Sequence, residues 1–479
     1  VTVPPRLVIA GLSGESGKTL VSLGLLLAAA ESGMPVRAFK KGPDYIDAAW
    51  LAWASGHPAR NLDSYLMGFE EVRRSFVRHG KGALNLIEGN RGLYDGVDAA
   101  GTHSTAALAK ALRAPVVLVV SVTKATRTVA ALVLGCQKLD PEVRIAAVIL
   151  NRVAGRRHEQ VIREAVEREC GLPVLGAVPR ADSGVLLPER HLGLVTPEEH
   201  RERDRLRAGL IALARNYLDT GRLFAIAGEA PPLEPAGEPA RAPADGRGLR
   251  IGFLRDSAFT FYYPENLEAL ESAGVELVPV EALAAARLPE GLDALYIGGG
   301  FPETHAAALA ANRAFLASLA EQAGRGLPVY AECGGLMLLA RSISWRGQAF
   351  PMAGVLPFGV EVCSAPQGHG YATVRVDGLN PFFAEGAVLK GHEFHYSRIL
   401  PGGATPRTAF SVIRGTGCFA GRDGVVAGNV LASYVHLHAA ATPEWARGLL
   451  EAARRRAPDH EFGVLGNADS RKRGDFIYE

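Results

Sequence analysis

Cysteine is scarce: five in 479 residues, Cys136, Cys170, Cys333, Cys363 and Cys418, with no CxxC pair among them. That spacing argues against a disulfide framework and against a cysteine zinc site. An excess of one charge is also missing. Fifty-two Lys and Arg face fifty Asp and Glu, a formal net charge of +2. No bulk field therefore selects a nucleic acid or a membrane as partner. No uncharged apolar run reaches the ~18 residues of a membrane span, and the chain enters its first strand with no signal-peptide pattern. The expected location is the cytoplasm. Aromatics are only 7%, whereas apolar residues reach 48%, much of it Ala, Gly, Leu and Val, the balance of an α/β protein. The length suffices for about two or three domains with cores of their own.

The first half is organised by its first turn. Leu7-Val8-Ile9-Ala10 reads as a buried strand, Gly11-Leu12-Ser13-Gly14-Glu15-Ser16-Gly17-Lys18-Thr19 as a phosphate loop, and Leu20 to Ala30 as a largely buried helix. In such a P-loop, Gly14, Ser16 and Gly17 bring backbone N–H groups onto phosphate oxygens at a helix N-terminus. Lys18 reaches the β- and γ-phosphates, and the Thr19 hydroxyl holds Mg²⁺. The strict spacing is broken, because Leu12 stands five before Gly17 and the glycine comes one residue earlier. Ser13 occupies the place where partitioning ATPases carry an extra lysine. Strands are then expected at Val36–Phe39, Ala83–Gly89, Pro115–Val120, Ile145–Leu150 and Val174–Val178, with helices between them, a doubly wound rhythm. Ligands of such sheets bind beyond the carboxyl ends of the strands, where Asp44, Asp47, Glu88 and Asp95 fall. Glu88 is the Walker-B-type acid for Mg²⁺, with Asp44 beside it. Asn151 is placed to pair with an adenine edge.

Five prolines between Pro231 and Pro243 break the pattern and mark a linker, residues 226–248, between domains at 1–225 and 249–455; a polar tail follows at 456–479. The second domain restarts with a strand at Leu249–Leu254, a helix from Pro264, and strands at Glu276–Val280 and Ala294–Ile297. One helix is expected over roughly 304–324. Leu327 to Leu339 then reads as a short strand, Cys333, two glycines and an apolar helix, the layout of a nucleophile elbow. The turn lifts the sulfur from the sheet, and the helix N-terminus is expected to favour its thiolate. The N–H of Gly334, with amides of the Gly299 and Gly300 loop, is placed to form an oxyanion hole. His436, after an expected strand over Val425–Ser433, is the candidate base.

These motifs occur together in one family. GLSGESGKT, KKGPDYID, IEGNRGLYDG, YIGGGFPE, AECGGLM, GHEFHYS and YVHLH, spread over nearly the whole chain, resemble the cobyrinic or hydrogenobyrinic acid a,c-diamide synthase family. The resemblance implies a dethiobiotin-synthetase-like P-loop domain followed by a class I glutamine amidotransferase-like α/β domain. It implies ATP, Mg²⁺, L-glutamine and a tetrapyrrole polycarboxylate as ligands, with Cys333 as nucleophile and His436 as its activating base. A homodimer is left open. Class I glutaminases carry a glutamate two residues after that histidine; here the place is His438, so the third role is vacant or filled elsewhere. GLYDG separates the chain from cobyric acid synthase. Asn90-Arg91 departs from the small or apolar pair usual in corrin enzymes, so amidation of sirohaem or another sirohydrochlorin-type tetrapyrrole stands as an alternative. A lesser one is a P-loop ATPase with a non-catalytic second domain. Lys40, Lys41 and Arg91 are candidate grips for substrate carboxylates.

Overall fold

The computed structural model describes residues 4–180, 189–190, 193–200, 202–233, 245–400, 402 and 405–456. Its first half is a seven-stranded sheet of β1 (Arg6–Gly11), β2 (Val36–Lys41), β3 (Arg60–Leu62), β4 (Leu84–Glu88), β5 (Val116–Ser121), β6 (Ile145–Val153) and β7 (Val174–Pro179). The order is β3-β2-β4-β1-β5-β6-β7, and every pairing is parallel. Continuous aliphatic runs such as Val116–Val120 are wholly buried, as a parallel sheet covered on both faces requires. Helix α1 (Lys18–Glu31) lies against the sheet and packs on α2 (Tyr45–Ser55) and on the helix Arg203–Tyr217. Asp44 caps α2, its Oδ1 accepting from Asp47 N at 2.7 Å. Asp63 caps α3 (Ser64–His79) in the same way.

Two strands overrun their expected ends. β2 continues through Lys40 and Lys41, and β6 through Asn151 and Arg152, so these residues sit on strands with alternating faces rather than in loops. The helix Thr220–Gly228 enters the expected linker, and the carbonyls of Pro231 and Pro232 accept from Arg6 and Arg113. The rest of the proline stretch, residues 234–244, and the tail from residue 457 lie outside the described residues.

The second half is a ten-stranded sheet built from β8 (Arg250–Leu254), β9 (Glu276–Val280), β10 (Ala294–Ile297), β11 (Val329–Glu332), β12 (Gly368–Val376), β13 (Val388–His395), β14 (Thr408–Arg414), β15 (Arg422–Ala427), β16 (Val430–Ser433) and β17 (His436–Leu437). The order is β9-β8-β10-β11-β16-β15-β14-β12-β13-β17. The first five strands pair in parallel and the others antiparallel. Helix α4 (Pro264–Ser272) and the short α5 (Gly334–Leu339) belong to this half. The single strand expected over Val425–Ser433 is a hairpin, β15 and β16, turning through Gly428 at φ +57°. The expected helix over 304–324 is broken by Asn312, whose side chain caps a new helix at Arg313–Gly324.

The halves are stitched together by polar and aromatic contacts. Arg60 forks onto Glu268 and lies 3.4 Å from Glu265. Tyr371 OH donates to Asp63 Oδ2 at 2.8 Å, and Tyr263 OH to Pro43 O at 3.0 Å. Tyr45 stacks on Phe261 with centroids 5.2 Å apart. No described helix is long and apolar enough to cross a membrane.

Candidate active site

The phosphate end is built where β1 meets α1. Gly17 takes φ +97°, and a Cβ there would lie 2.1 Å from Asn151 Nδ2, so only glycine fits this corner. Asn151 Nδ2 donates to Ser16 O at 2.9 Å and its Oδ1 accepts from Arg152 N. Expected to face adenine, this amide braces the loop from below. Lys18 Nζ folds over the loop to Ser13 O at 2.9 Å, and burial, then the Lys40 charge, pulls its pKa below the usual lysine value. Gly14 and Ser16 lie in the same loop.

Beneath the loop, Thr19 Oγ1 donates to Glu88 Oε1 at 3.0 Å. Lys40 Nζ bridges Glu88 Oε1 at 2.7 Å and Asp47 Oδ2 at 2.5 Å. Burial works against the Lys40 charge, but Asp47 and Glu88 outweigh it and hold the pKa above the ordinary lysine value. This corrects the expectation that Lys40 grips substrate: its ammonium is already committed to two carboxylates. Glu88 Oε2 is buried with no hydrogen-bond partner. A bare carboxylate oxygen beside a P-loop threonine suits Mg²⁺, which takes one or two carboxylates plus phosphate and water. Among the described residues no three His, Cys, Asp or Glu side chains form a metal cage of their own. Burial and the neighbouring Asp47 carboxylate push Asp44 up to about 7.

The cysteine end is a strand-to-helix corner. Cys333 has φ +48° and ψ −98° between β11 and α5, the left-handed backbone that a nucleophile elbow imposes on a non-glycine residue. The loop after β10 closes on it: a Cβ on Gly334 would lie 3.1 Å from Gly300 N, and one on Gly299 2.7 Å from His436 Cε1. Two backbone amides, of Gly334 and Gly300, are thus gathered beside Cys333 and His436. Burial, then the Glu303 charge, pushes the Cys333 thiol well above its usual range. The thiolate expected from the helix end is therefore not the resting form. α5 has six residues, and desolvation outweighs its amides. The sulfur needs a base.

His436 is the candidate for it, and the carboxylate beside this histidine belongs to a residue to which the sequence reading gave no role. Glu332, wholly buried, holds Oε2 3.3 Å from His436 Nδ1 and accepts from Leu437 N at 3.0 Å. It directly precedes Cys333. The strand alternation was the available signal, since the residue before an elbow nucleophile turns its side chain to the other face of the sheet. His438 turns instead to Glu265 at 3.5 Å. Burial works against the Glu265 charge, but His438 and Arg60 bring its pKa down to about 2. His392, of GHEFHYS, stacks on His436 at 4.9 Å, and burial keeps its pKa well below the usual histidine value.

The cysteine end opens into a cavity of about 660 Å³, within the ~300–1,000 Å³ common for small-molecule sites, which reaches the first half beside the phosphate end without being lined by the loop itself. Asp44, Arg91 and Asp95 line it from the first half, Cys333, Gly300 and His436 from the second. Lys40, Asp47 and Glu88 stand behind its wall.

The comparisons with known proteins follow the same division. The CobQ/CobB/MinD/ParA nucleotide binding domain family matches residues 7–195, and the CobB/CobQ-like glutamine amidotransferase domain family matches residues 250–444. Several similar proteins carry the name cobyrinate a,c-diamide synthase. That of Magnetococcus marinus is 44% identical over 92% of this chain and 96% of its own. Those of Archaeoglobus fulgidus and Methanosarcina acetivorans are 42% and 40% identical, over 91% and 94% of this chain and 94% and 95% of theirs. Identity of this extent runs through both halves and supports neither sirohaem amidation nor a non-catalytic second domain. With a phosphate loop in the first half, a cysteine elbow in the second and this identity across both, the chain belongs to the cobyrinate a,c-diamide synthase family.

Proposed function

We propose that this chain amidates the a and c acetate carboxylates of cobyrinate, using ATP to activate each carboxylate and glutamine to supply ammonia. The observation that carries the reading is the single cavity lined by Cys333 and His436 on one side and Asp44 and Asp95 on the other. ATP lies with its phosphates on the Gly14–Thr19 backbone, Lys18 reaching the transferring phosphoryl group and Asn151 beneath the loop. Thr19 and Glu88, with Asp44 close by, would hold Mg²⁺, which supplies charge neutralisation during phosphoryl transfer. The substrate carboxylate takes the γ-phosphoryl group, giving an acyl phosphate and ADP.

At the other end His436, oriented by Glu332, takes the Cys333 proton as the sulfur attacks the glutamine carboxamide. The N–H groups of Gly334 and Gly300 stabilise the oxyanion. His436 returns the proton to the departing ammonia, and water frees glutamate from the thioester. Ammonia released inside the cavity stays neutral and nucleophilic, attacks the acyl phosphate and expels phosphate. Residues 1–225 serve as the synthetase domain and 249–455 as the glutaminase domain. The setting is cytoplasmic, with ATP and glutamine as common metabolites, and light scattering on the purified protein reads whether it is a homodimer.

The test is to follow ADP, glutamate and tetrapyrrole amide together, with and without cobyrinate. Equal formation of all three, dependent on cobyrinate, is expected. ADP formation indifferent to cobyrinate, or amide formation from sirohaem alone, overturns the proposal.

A further inference from the structure

Lys41 is a buried cation that forms no direct ion pair among the described residues. The β2 pleat turns successive side chains to opposite faces, so Lys40 enters the acid cluster while Lys41 lines the cavity. Lys41 is 6% exposed, and its ammonium makes no hydrogen bond or ion pair among the described residues. The acids near it are occupied. Asp63 Oδ1 caps α3 through Tyr65 N and Leu66 N, and Oδ2 takes the Tyr371 hydroxyl at 2.8 Å. Asp95 Oδ2 takes Gly92 N at 2.8 Å. Burial lowers the Lys41 pKa, and the charges of Lys40 and Arg91 add to that against the opposing pull of Asp63 and Asp95.

Two arginines share this wall. Arg91, at φ +51°, follows β4, and Arg414 ends β14 opposite Thr373 of β12. The Arg414 guanidinium lies 5.3 Å from the Tyr65 ring centroid, and neither arginine pairs with a carboxylate among the described residues. Burial, then Arg91, also lowers the His369 pKa on β12, so Arg91 reaches the field of the second half. Arg60, by contrast, is saturated by Glu265 and Glu268. Unmatched cations facing one cavity hold a region of positive potential that an anion relieves.

We propose that Lys41, Arg91 and Arg414 form a carboxylate cradle built from both halves, which holds non-reacting carboxylates of the tetrapyrrole and so selects which acetate reaches the phosphate end. This rests on the cobyrinate reading. The same chemistry would also suit the α-carboxylate of glutamine, and the experiment separates the two sources.

Full-length Lys41→Gln, Arg414→Gln and the charge-keeping Lys41→Arg are compared with wild type for cobyrinate, glutamine and ATP KM. Cobyrinate binding is measured directly by equilibrium dialysis, read by its visible absorbance. Losing one charge-assisted contact should raise both KM and Kd for cobyrinate about tenfold or more, with the glutamine and ATP values unmoved and Lys41→Arg restoring most of the loss. The rise of cobyrinate KM with salt should be shallower in Lys41→Gln. Should Lys41→Gln fail to fold, Arg414→Gln, at an exposed position, carries the same test. Unchanged cobyrinate KM and Kd in the folded variants overturn the cradle, as does a rise in glutamine KM instead. A wild type that hydrolyses glutamine yet neither binds nor amidates cobyrinate overturns the functional reading, and the ligand assigned to the cradle falls with it.

Discussion

Glu332 and Cys333 are adjacent in the chain and point in different directions, one into the sheet against His436 and one into the cavity. With the thiol pushed up by burial, the proposed transfer of its proton to His436 makes the acid beside this histidine matter. Glu332→Gln is expected to cut glutamine-driven amidation about 10²-fold or more, by analogy with an orienting acid turned amide in a serine triad. Cys333→Ala should abolish it. Ammonium at alkaline pH should restore amide formation in both, because the phosphate end is untouched; steady-state amide formation with each nitrogen source is the measurement. Asp44 offers a test by pH. Its folded pKa of about 7 lies above the ordinary 3.8, so between those values the folded chain keeps a proton that the unfolded chain has lost. This group's contribution to stability therefore falls as pH rises through that window. Asn caps a helix as well as Asp does but cannot ionise. The melting temperature of Asp44→Asn should gain on wild type as pH is raised from about 5 to 8. A constant difference across that range would refute the assignment.

Among elements, the P-loop was legible because one short segment carries strand, glycine corner, lysine and helix together. The doubly wound sheet was legible from uninterrupted aliphatic runs, whose burial on both faces leaves no other fate for them. Lys18→Ala should accordingly remove ATP-dependent amidation, read as ADP and amide, while glutamine hydrolysis at Cys333 continues. Strand ends were less legible. β2 and β6 run on through polar residues because their neighbours in the sheet still offer hydrogen-bond partners, a tertiary effect that no local pattern carries. The same limit hid the acid of the cysteine end. A search along the chain from His436 finds His438, whereas the sheet order puts β11 beside β16 and brings Glu332 to His436 from a hundred residues away. Lys40 and Lys41 looked equivalent in sequence, and only the β2 pleat separates the ion-paired lysine from the one that faces the cavity.

On the scale of the whole molecule, the two chemistries must be timed to each other, since ammonia made without an acyl phosphate to meet is lost. The contacts between the halves bear on this timing. Arg60 of the synthetase half reaches Glu268 and Glu265, and Glu265 in turn meets His438, two residues from His436 on the same segment. A chain of polar contacts thus runs from β3 of the first sheet to the segment carrying His436. Removing one partner of a buried ion pair costs about 3–5 kcal/mol, and here the loss falls on the seam rather than on either core. Arg60→Met keeps the aliphatic bulk and deletes the charge, leaving Glu265 and Glu268, one turn apart on α4, without the arginine of the first half between them. The synthetase and glutaminase ends should each remain competent, as ammonium-driven amidation and glutamine hydrolysis measured separately would show. What should change is their coupling: the ratio of glutamate released to amide formed, close to one in a coupled enzyme, should rise clearly above one as ammonia escapes. If the ratio stays at one while the interface charge is gone, Arg60 is only an adhesive between domains, and the timing must be carried by the aromatic contacts around Tyr45.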